Sequence, residues 1–171
     1  MSPGASPVVP PIPGIERAMT LRTVEDVEKI FNRVSQKPAN AVVIGGGFIG
    51  VEIAENLIHK GIKTTVVEAA TQLLAPLDPE MATLVAKEMI KNNVELHLGA
   101  SAQEITESTV ALSNGVVLPA EMIILAIGVR PDIKLAKEAG LTIGTRGYES
   151  WCISCCSANS RHRTRYDTSN C

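Results

Sequence analysis

The stretch NAVVIGGGFIGVEIAENL, residues 40–57, decides the fold. Its apolar run, 41–44, reads as a buried strand, and it stops at three successive glycines. A helical pattern then spans 48–60; His59 and Lys60 suit its last turn, and Gly61 suits the position just past its end. A strand that feeds straight into a helix leaves the first helical N–H groups without partners. They point beyond the strand end, where the peptide dipoles add about half a positive charge. Gly45 permits the tight turn, Gly47 lets a pyrophosphate approach the backbone, and Gly50 lets the helix lie close to the strand. The spacing Gly45-x-Gly47-x-x-Gly50 meets all three needs, although a glycine turn used only for packing would have the same letters.

The flanking sequence supplies the context that such a motif needs. Downstream, KTTVVEA reads as a second strand ending at Glu68, 18 residues beyond Gly50. An acid there can accept both hydroxyls of an adenosine ribose; the plainer alternative is a solvated strand-end carboxylate. A 2′-phosphate would be repelled by Glu68, and EAATQLL offers no basic residue, so NAD(H) is favoured over NADP(H). LDPEMATLVAKEMIKNN predicts a helix with Asp78 as cap, Pro79 in its first turn and Asn92–Asn93 at its end. VELHLG is a third strand. Connections of this length require parallel pairing with right-handed crossovers. SAQEIT, STVALS and GVVLP are short runs separated by turn residues, as in an antiparallel meander. AEMIILAIG is an unbroken apolar run that suits a strand buried on both faces.

Upstream, TVEDVEKIFNRV predicts a helix capped by Thr23, with Asp26 at the reciprocal position. Residues 1–20 hold five prolines between Pro3 and Pro13 and read as an extended surface lead-in. The expected class is α/β: a Rossmann-like parallel sheet with helices on both faces and a small antiparallel meander.

Composition narrows the function. The 171 residues suffice for one domain with a sizeable core, and 45% hydrophobic with 20% charged residues is ordinary for a soluble protein. A net charge of -2 gives no basic field to draw in nucleic acid or anionic lipid. No apolar run approaches the roughly 20 residues of a membrane span. The N-terminus has neither the basic start nor the apolar core of a secretory signal, so a cytoplasmic protein is expected. The four cysteines, Cys152, Cys155, Cys156 and Cys171, crowd the last 20 residues, so the body is no disulfide framework.

VVIGGGFIGVEIAENL, TTVVEAATQLLAPLDPEMA and IILAIGVRPD, in this order and spacing, resemble the NAD(H)-binding domain of FAD-dependent pyridine nucleotide–disulfide oxidoreductases. The similarity is greatest to the CoA-disulfide reductase, NADH oxidase and NADH peroxidase branch, and it covers about residues 1–147. It implies cofactor contacts at Gly45, Gly47, Phe48, Ile49, Gly50, Glu52, Glu68, Ala126, Ile127 and Gly128. Phe48 would correspond to an aromatic that covers the flavin when nicotinamide is absent, and Glu52 to a helix acid facing the nicotinamide and flavin. Local packing and favourable interaction with the helix dipole are the plainer roles for these two. Gly128 would border the nicotinamide, and Pro131 would redirect the chain toward the FAD domain. The resemblance also implies FAD in the parent enzyme, a homodimeric parent, and a lead-in belonging to the FAD-domain segment. The flavin-binding βαβ unit and the redox cysteine of the family are not found in residues 1–147.

The expected division is therefore a lead-in (1–20), an NAD(H)-binding domain (21–147) and a tail (148–171). The tail, YESWCISCCSANSRHRTRYDTSNC, departs from the family and shows no apolar periodicity. It reads as sequence out of frame or artificially added, with a composition that does not fold. A metal site from Cys152, Cys155, Cys156 and His162 is the sharper alternative, but no second matching pair supports it. Three functional readings follow. The first is a cofactor domain that holds NADH for hydride transfer to FAD and is inactive alone. The second is a free-standing NAD-binding sensor without catalysis. In the third, the glycine loop holds FAD itself.

Overall fold

The computed structural model describes residues 4–140 and 143. Pro7–Val129 forms one compact unit, and the described residues before and after it belong to a second. β1 (Ala5–Pro7) pairs with β10 (Val129–Pro131), and a short helix, α4 (Lys134–Glu138), follows in the second unit. Asp132 shapes this segment, its N–H donating to the Gly4 carbonyl (2.9 Å) and its Oδ1 accepting from the Lys134 N–H (3.0 Å).

The larger unit is built on a five-stranded parallel sheet. Its strands are β2 (Met19–Thr20), β3 (Asn40–Ile44), β4 (Lys63–Glu68), β5 (Glu95–Leu98) and β9 (Met122–Leu125), in the order β2-β9-β3-β4-β5. The register is continuous across the middle: Val43 lies between Val66 and Ile124, and Ile44 between Val67 and Leu125. Period-two alternation sorts the side chains. Ala41, Val43, Val66, Met122 and Ile124 face one layer, while Val42, Ile44, Val67, Ile123 and Leu125 face the other.

Helices α1 (Val24–Ser35), α2 (Phe48–His59) and α3 (Pro79–Lys91) form the first layer. The second is the antiparallel meander of β6 (Ala102–Ile105), β7 (Thr109–Leu112) and β8 (Val117–Pro119). The meander thus occupies the layer where further helices were expected. The cause is chain direction. Successive right-handed crossovers from β3 to β4 to β5 advance one way and place α2 and α3 on one face. The return from β5 to β9 runs the other way, so the same handedness carries its connection over the opposite face.

Local signals set the ends of the elements. Thr23 and Asp26 form the reciprocal cap of α1: Thr23 Oγ1 accepts from the Asp26 N–H (3.4 Å), and Asp26 Oδ2 accepts from the Thr23 N–H (3.2 Å). Thr23→Ala is expected to lower stability by about 1 kcal/mol, read from urea unfolding; no change would show that this exposed cap is not holding α1 in place. Asp78 has the extended backbone of a cap, but its side chain makes no capping hydrogen bond. Gly61, at φ 77°, and Asn93, at φ 64°, take the left-handed positions after α2 and α3.

The proline-rich lead-in is built into this unit more deeply than a surface strap. Met19–Thr20 is the edge strand beside β9, and Ile12, Ile15 and Ala18 pack against the meander core. The Ile105 N–H donates to the Pro13 carbonyl (2.9 Å). Gly14, at φ 79°, lies so close to the Ile105 carbonyl that a Cβ there would overlap it. Among the described residues, no helix is long and apolar enough to cross a membrane.

Candidate functional site

Parallel pairing brings the ends of β3, β4 and β9 to one edge of the sheet. The order in which strands are added reverses at β3, with β4 and β5 on one side and β9 on the other. A sheet that reverses in this way opens a crevice at the carboxyl ends of the strands. Here the crevice has a volume of about 320 Å³ and runs from Ile44–Gly45 past Glu68 and Ala69 to Ala100–Ala102, with Pro10, Ile12 and Ile127 along its side.

The glycine turn crosses this edge. The Gly45 N–H donates to the Val67 carbonyl (2.8 Å), and the Ala126 N–H donates to the Ile44 carbonyl (2.7 Å), so the ladder continues past the strands. Gly45 sits at φ 113°, and a Cβ there would come within 2.5 Å of the Ala126 carbonyl oxygen. Only glycine meets both constraints. Gly50 faces the same crowding from the helix side, since its Cβ would overlap the Gly45 carbonyl oxygen. Gly47 is different: its φ is -77°, and a Cβ there meets nothing within 4 Å. Its missing side chain leaves open space at the mouth of α2.

That mouth is uncontested. The first bond of α2 runs from the Val51 N–H to the Gly47 carbonyl (3.0 Å), so the preceding amides have no partner inside the helix. No side chain caps it, and its first turn carries no acid. An anion of suitable shape meets free N–H donors and the positive end of the dipole there.

Glu68 is half-buried at the end of β4. Its Oε2 accepts from the Gly46 N–H (2.6 Å) and its Oε1 from the Ala70 N–H (2.8 Å), each oxygen keeps a further lone pair, and the residue lines the crevice. Ile127, 39% exposed, lines the crevice beside it. Ala126 is half-buried against the helix-side core, with its carbonyl toward Gly45. Gly128 sits at φ 108° with open space where a Cβ would be, and its carbonyl accepts from the Val8 N–H (3.0 Å).

The sheet therefore gathers Gly45, Gly47, Gly50, Glu68 and residues 126–128 at one edge. The remaining three expected residues sit elsewhere on α2. Phe48 is 62% exposed at its first turn. Ile49 and Glu52 border an apolar groove between α1 and α2, together with Val27, Phe31 and Ile53. Sequence reasoning passed over Gly46, whose amide is held by Glu68, and over Pro10, Ile12 and Ala100–Ala102. The middle glycine of the triplet, which the Gly45-x-Gly47-x-x-Gly50 spacing does not call for, was the available signal for Gly46. Among the described residues no cluster of His, Cys, Asp and Glu could hold a metal, and the Cys152, Cys155, Cys156 and His162 alternative lies outside them.

A glycine turn between strand and helix, an acid ending the neighbouring strand, and a crevice at the reversal of the sheet define a Rossmann-type α/β domain of the dinucleotide-binding class. Comparison with known proteins narrows the class. The family model of the pyridine nucleotide-disulphide oxidoreductases matches residues 1–150, and the chain belongs to that family. It is 37% identical over 151 residues to an NADH oxidase of Methanocaldococcus jannaschii, covering 84% of this chain and 34% of that protein. Among solved structures it resembles reduced Bacillus anthracis CoADR-RHD at 48% identity and a TM-score of 0.81, covering 85% of this chain and 27% of the other. An NAD-dependent persulfide reductase from A. fulgidus matches at 35% identity and a TM-score of 0.78, covering 82% of this chain and 27% of the other. The chain thus spans about a third of the length of the NADH oxidase that it matches. Its solved neighbours include an FAD-dependent pyridine nucleotide-disulphide oxidoreductase and an NADH oxidase bound to NADH.

Proposed function

We propose that residues 21–147 form the NAD(H)-binding domain of a flavin-dependent pyridine nucleotide–disulfide oxidoreductase, holding NADH for hydride transfer to FAD carried elsewhere in the parent protein. Residues 1–20 would then be part of the FAD-domain segment, and 148–171 a tail foreign to the family. The resemblance further implies a homodimeric parent.

The open space at Gly47 carries this reading, because a Cβ there meets nothing and the approach to the first amides of α2 is left clear for a pyrophosphate. The free amides that open α2 bind the diphosphate, Glu68 receives the adenosine ribose hydroxyls, and Gly128 lets the nicotinamide half lie along the backbone after β9. The nicotinamide supplies the hydride when bound; the chain's residues bind and orient it. The carboxylate at Glu68 and the absence of Lys and Arg from the crevice lining favour NAD(H) over NADP(H). The names of the relatives, an NADH oxidase and an NAD-dependent reductase, support the same choice.

Residues 1–147 show neither the flavin-binding βαβ unit that would hold a hydride acceptor nor a cysteine for a thiol redox step, so the 171-residue chain by itself is expected to bind NADH without consuming it. Calorimetric titration should show one NADH per chain and weaker NADPH. A yellow preparation that oxidises NADH would contradict the inactivity, and no NADH binding at all would overturn the assignment.

Glu68→Arg tests the ribose contact. It removes the acceptors of the Gly46 and Ala70 amides as well as the carboxylate, so NADH affinity should fall by roughly tenfold or more. The ratio of NADPH to NADH affinity should rise at the same time. An unchanged ratio would show that Glu68 does not face the ribose.

A further inference from the structure

The connection from β4 to α3, residues 69–78, is fastened to the glycine turn at a single residue, Gly46. The Gly46 N–H donates to Glu68 Oε2 (2.6 Å), at the start of that connection. The Gly46 carbonyl accepts from the Leu74 N–H (2.8 Å), in its middle. Both polar groups of one peptide residue are thus held by the same loop. The loop is itself braced: Ala70 donates its N–H to Glu68 Oε1 (2.8 Å) and accepts from the Gly99 N–H (2.8 Å). Leu77 donates its N–H to the Leu74 carbonyl (2.8 Å) and accepts from Gln72 Nε2 (2.9 Å).

Two features show that this fastening is demanding. Leu74 sits at φ 49°, a left-handed backbone that leucine rarely adopts, and it holds that conformation while buried in the helix-side core. Strained residues of this kind persist where their surroundings over-determine them, and they gather at functional sites. Gly46 itself has no positive φ, so its constraint is space. A Cβ there would come within 2.5 Å of Leu73 Cδ2 and 3.1 Å of Glu68 Cβ. Leu73 is fully buried, with little freedom to retreat.

We infer that Gly46 and Leu74 are positioning residues for dinucleotide binding: they fix the peptide between the two phosphate-facing glycines through the β4–α3 loop, without touching the ligand. This inference rests on the NAD(H) reading above. Gly45 is held by the strand ladder and Gly47 by the first bond of α2, while the residue between them is held on both its polar groups by Glu68 and Leu74. A side chain at 46 pushes on Leu73 and Glu68 together, so it displaces the amides that open α2 and the carboxylate that receives the ribose.

The test pairs Gly46→Ala with Leu73→Ala, which removes the obstructing methyl groups. Gly46→Ala should weaken NADH by about tenfold in calorimetric titration, the effect of a methyl forced into a tight site. Leu73→Ala alone should melt at a lower temperature because it leaves a cavity, yet bind NADH within about twofold of the native chain. The double variant should regain most of the NADH affinity while staying less stable than the native chain. Affinity and stability then move in opposite directions, which a purely structural role does not produce. Amide exchange of Leu74 should quicken in Gly46→Ala and slow again in the double variant. Native affinity in Gly46→Ala, or no recovery in the double variant, overturns the clamp while the dinucleotide reading stands. A native chain that does not bind NADH overturns both.

Discussion

Gly47→Val is expected to leave the chain folded and to weaken NADH by about a hundredfold, close to 3 kcal/mol of binding free energy. The two halves of this expectation have separate causes. At φ -77° any L-residue is accommodated, and a Cβ at this position has no neighbour within 4 Å, so the fold has little reason to object. Glycine is favoured over valine as the residue before a helix, so the change costs about 1 kcal/mol of stability, too little to unfold the domain. The space that the valine fills is the approach to the free amides of α2, where the proposed diphosphate lies. Calorimetric titration reads the affinity, and thermal unfolding without ligand reads the fold. Native affinity in a folded variant would place the dinucleotide elsewhere.

Gly50→Ala should give the reverse pattern, although it lies three residues away in the same motif. Alanine is favoured over glycine inside a helix by up to ~1 kcal/mol, so propensity alone predicts a gain. Against it stands the overlap of the new Cβ with the Gly45 carbonyl oxygen. That contact is backbone, fixed at the end of a buried strand, and cannot swing aside as a side chain would. Overpacking of this kind costs about 1–3 kcal/mol and occasionally more, so a net loss of about 2 kcal/mol is expected. For a domain of this size that lowers the melting temperature by roughly 5–10 °C. An unchanged or raised melting temperature would mean that α2 can move away from β3 without penalty. Affinity for NADH should fall less than in Gly47→Val, because the cradle itself is not filled.

The contrast shows what the sequence displays and what it hides. Strand, turn and helix around Gly45–Gly50 were legible because each is set by neighbours in the chain: a short apolar run, a glycine spacing, a 3.6-residue period. The Thr23–Asp26 cap was legible for the same reason. The meander could be read from its turn residues, but its place in the layers could not. Which face it covers follows from the handedness of crossovers and the order β2-β9-β3-β4-β5, and that order is a pairing of distant segments. Met19–Thr20 was hidden because two residues carry no period; only pairing with β9 makes them a strand. The apolar groove bordered by Ile49 and Glu52 needed α1 beside α2, which no local pattern announces. The left-handed Leu74 has no signature at all. Leucine is a poor choice for that backbone by intrinsic preference, and its conformation is imposed by the loop it closes and the core it enters.

At this sheet edge the proposed phosphate cradle consists of main-chain amides and a helix end, with no Lys or Arg among the residues lining the crevice. Where basic side chains grip a phosphate, dissolved ions compete with the attraction and loosen it. A main-chain amide has no proton to lose across the ordinary range of acidity, so such a hold does not titrate, although salt still screens the helix dipole. The proposed hold on a diphosphate depends on the shape of the turn, so it tracks the integrity of the loop.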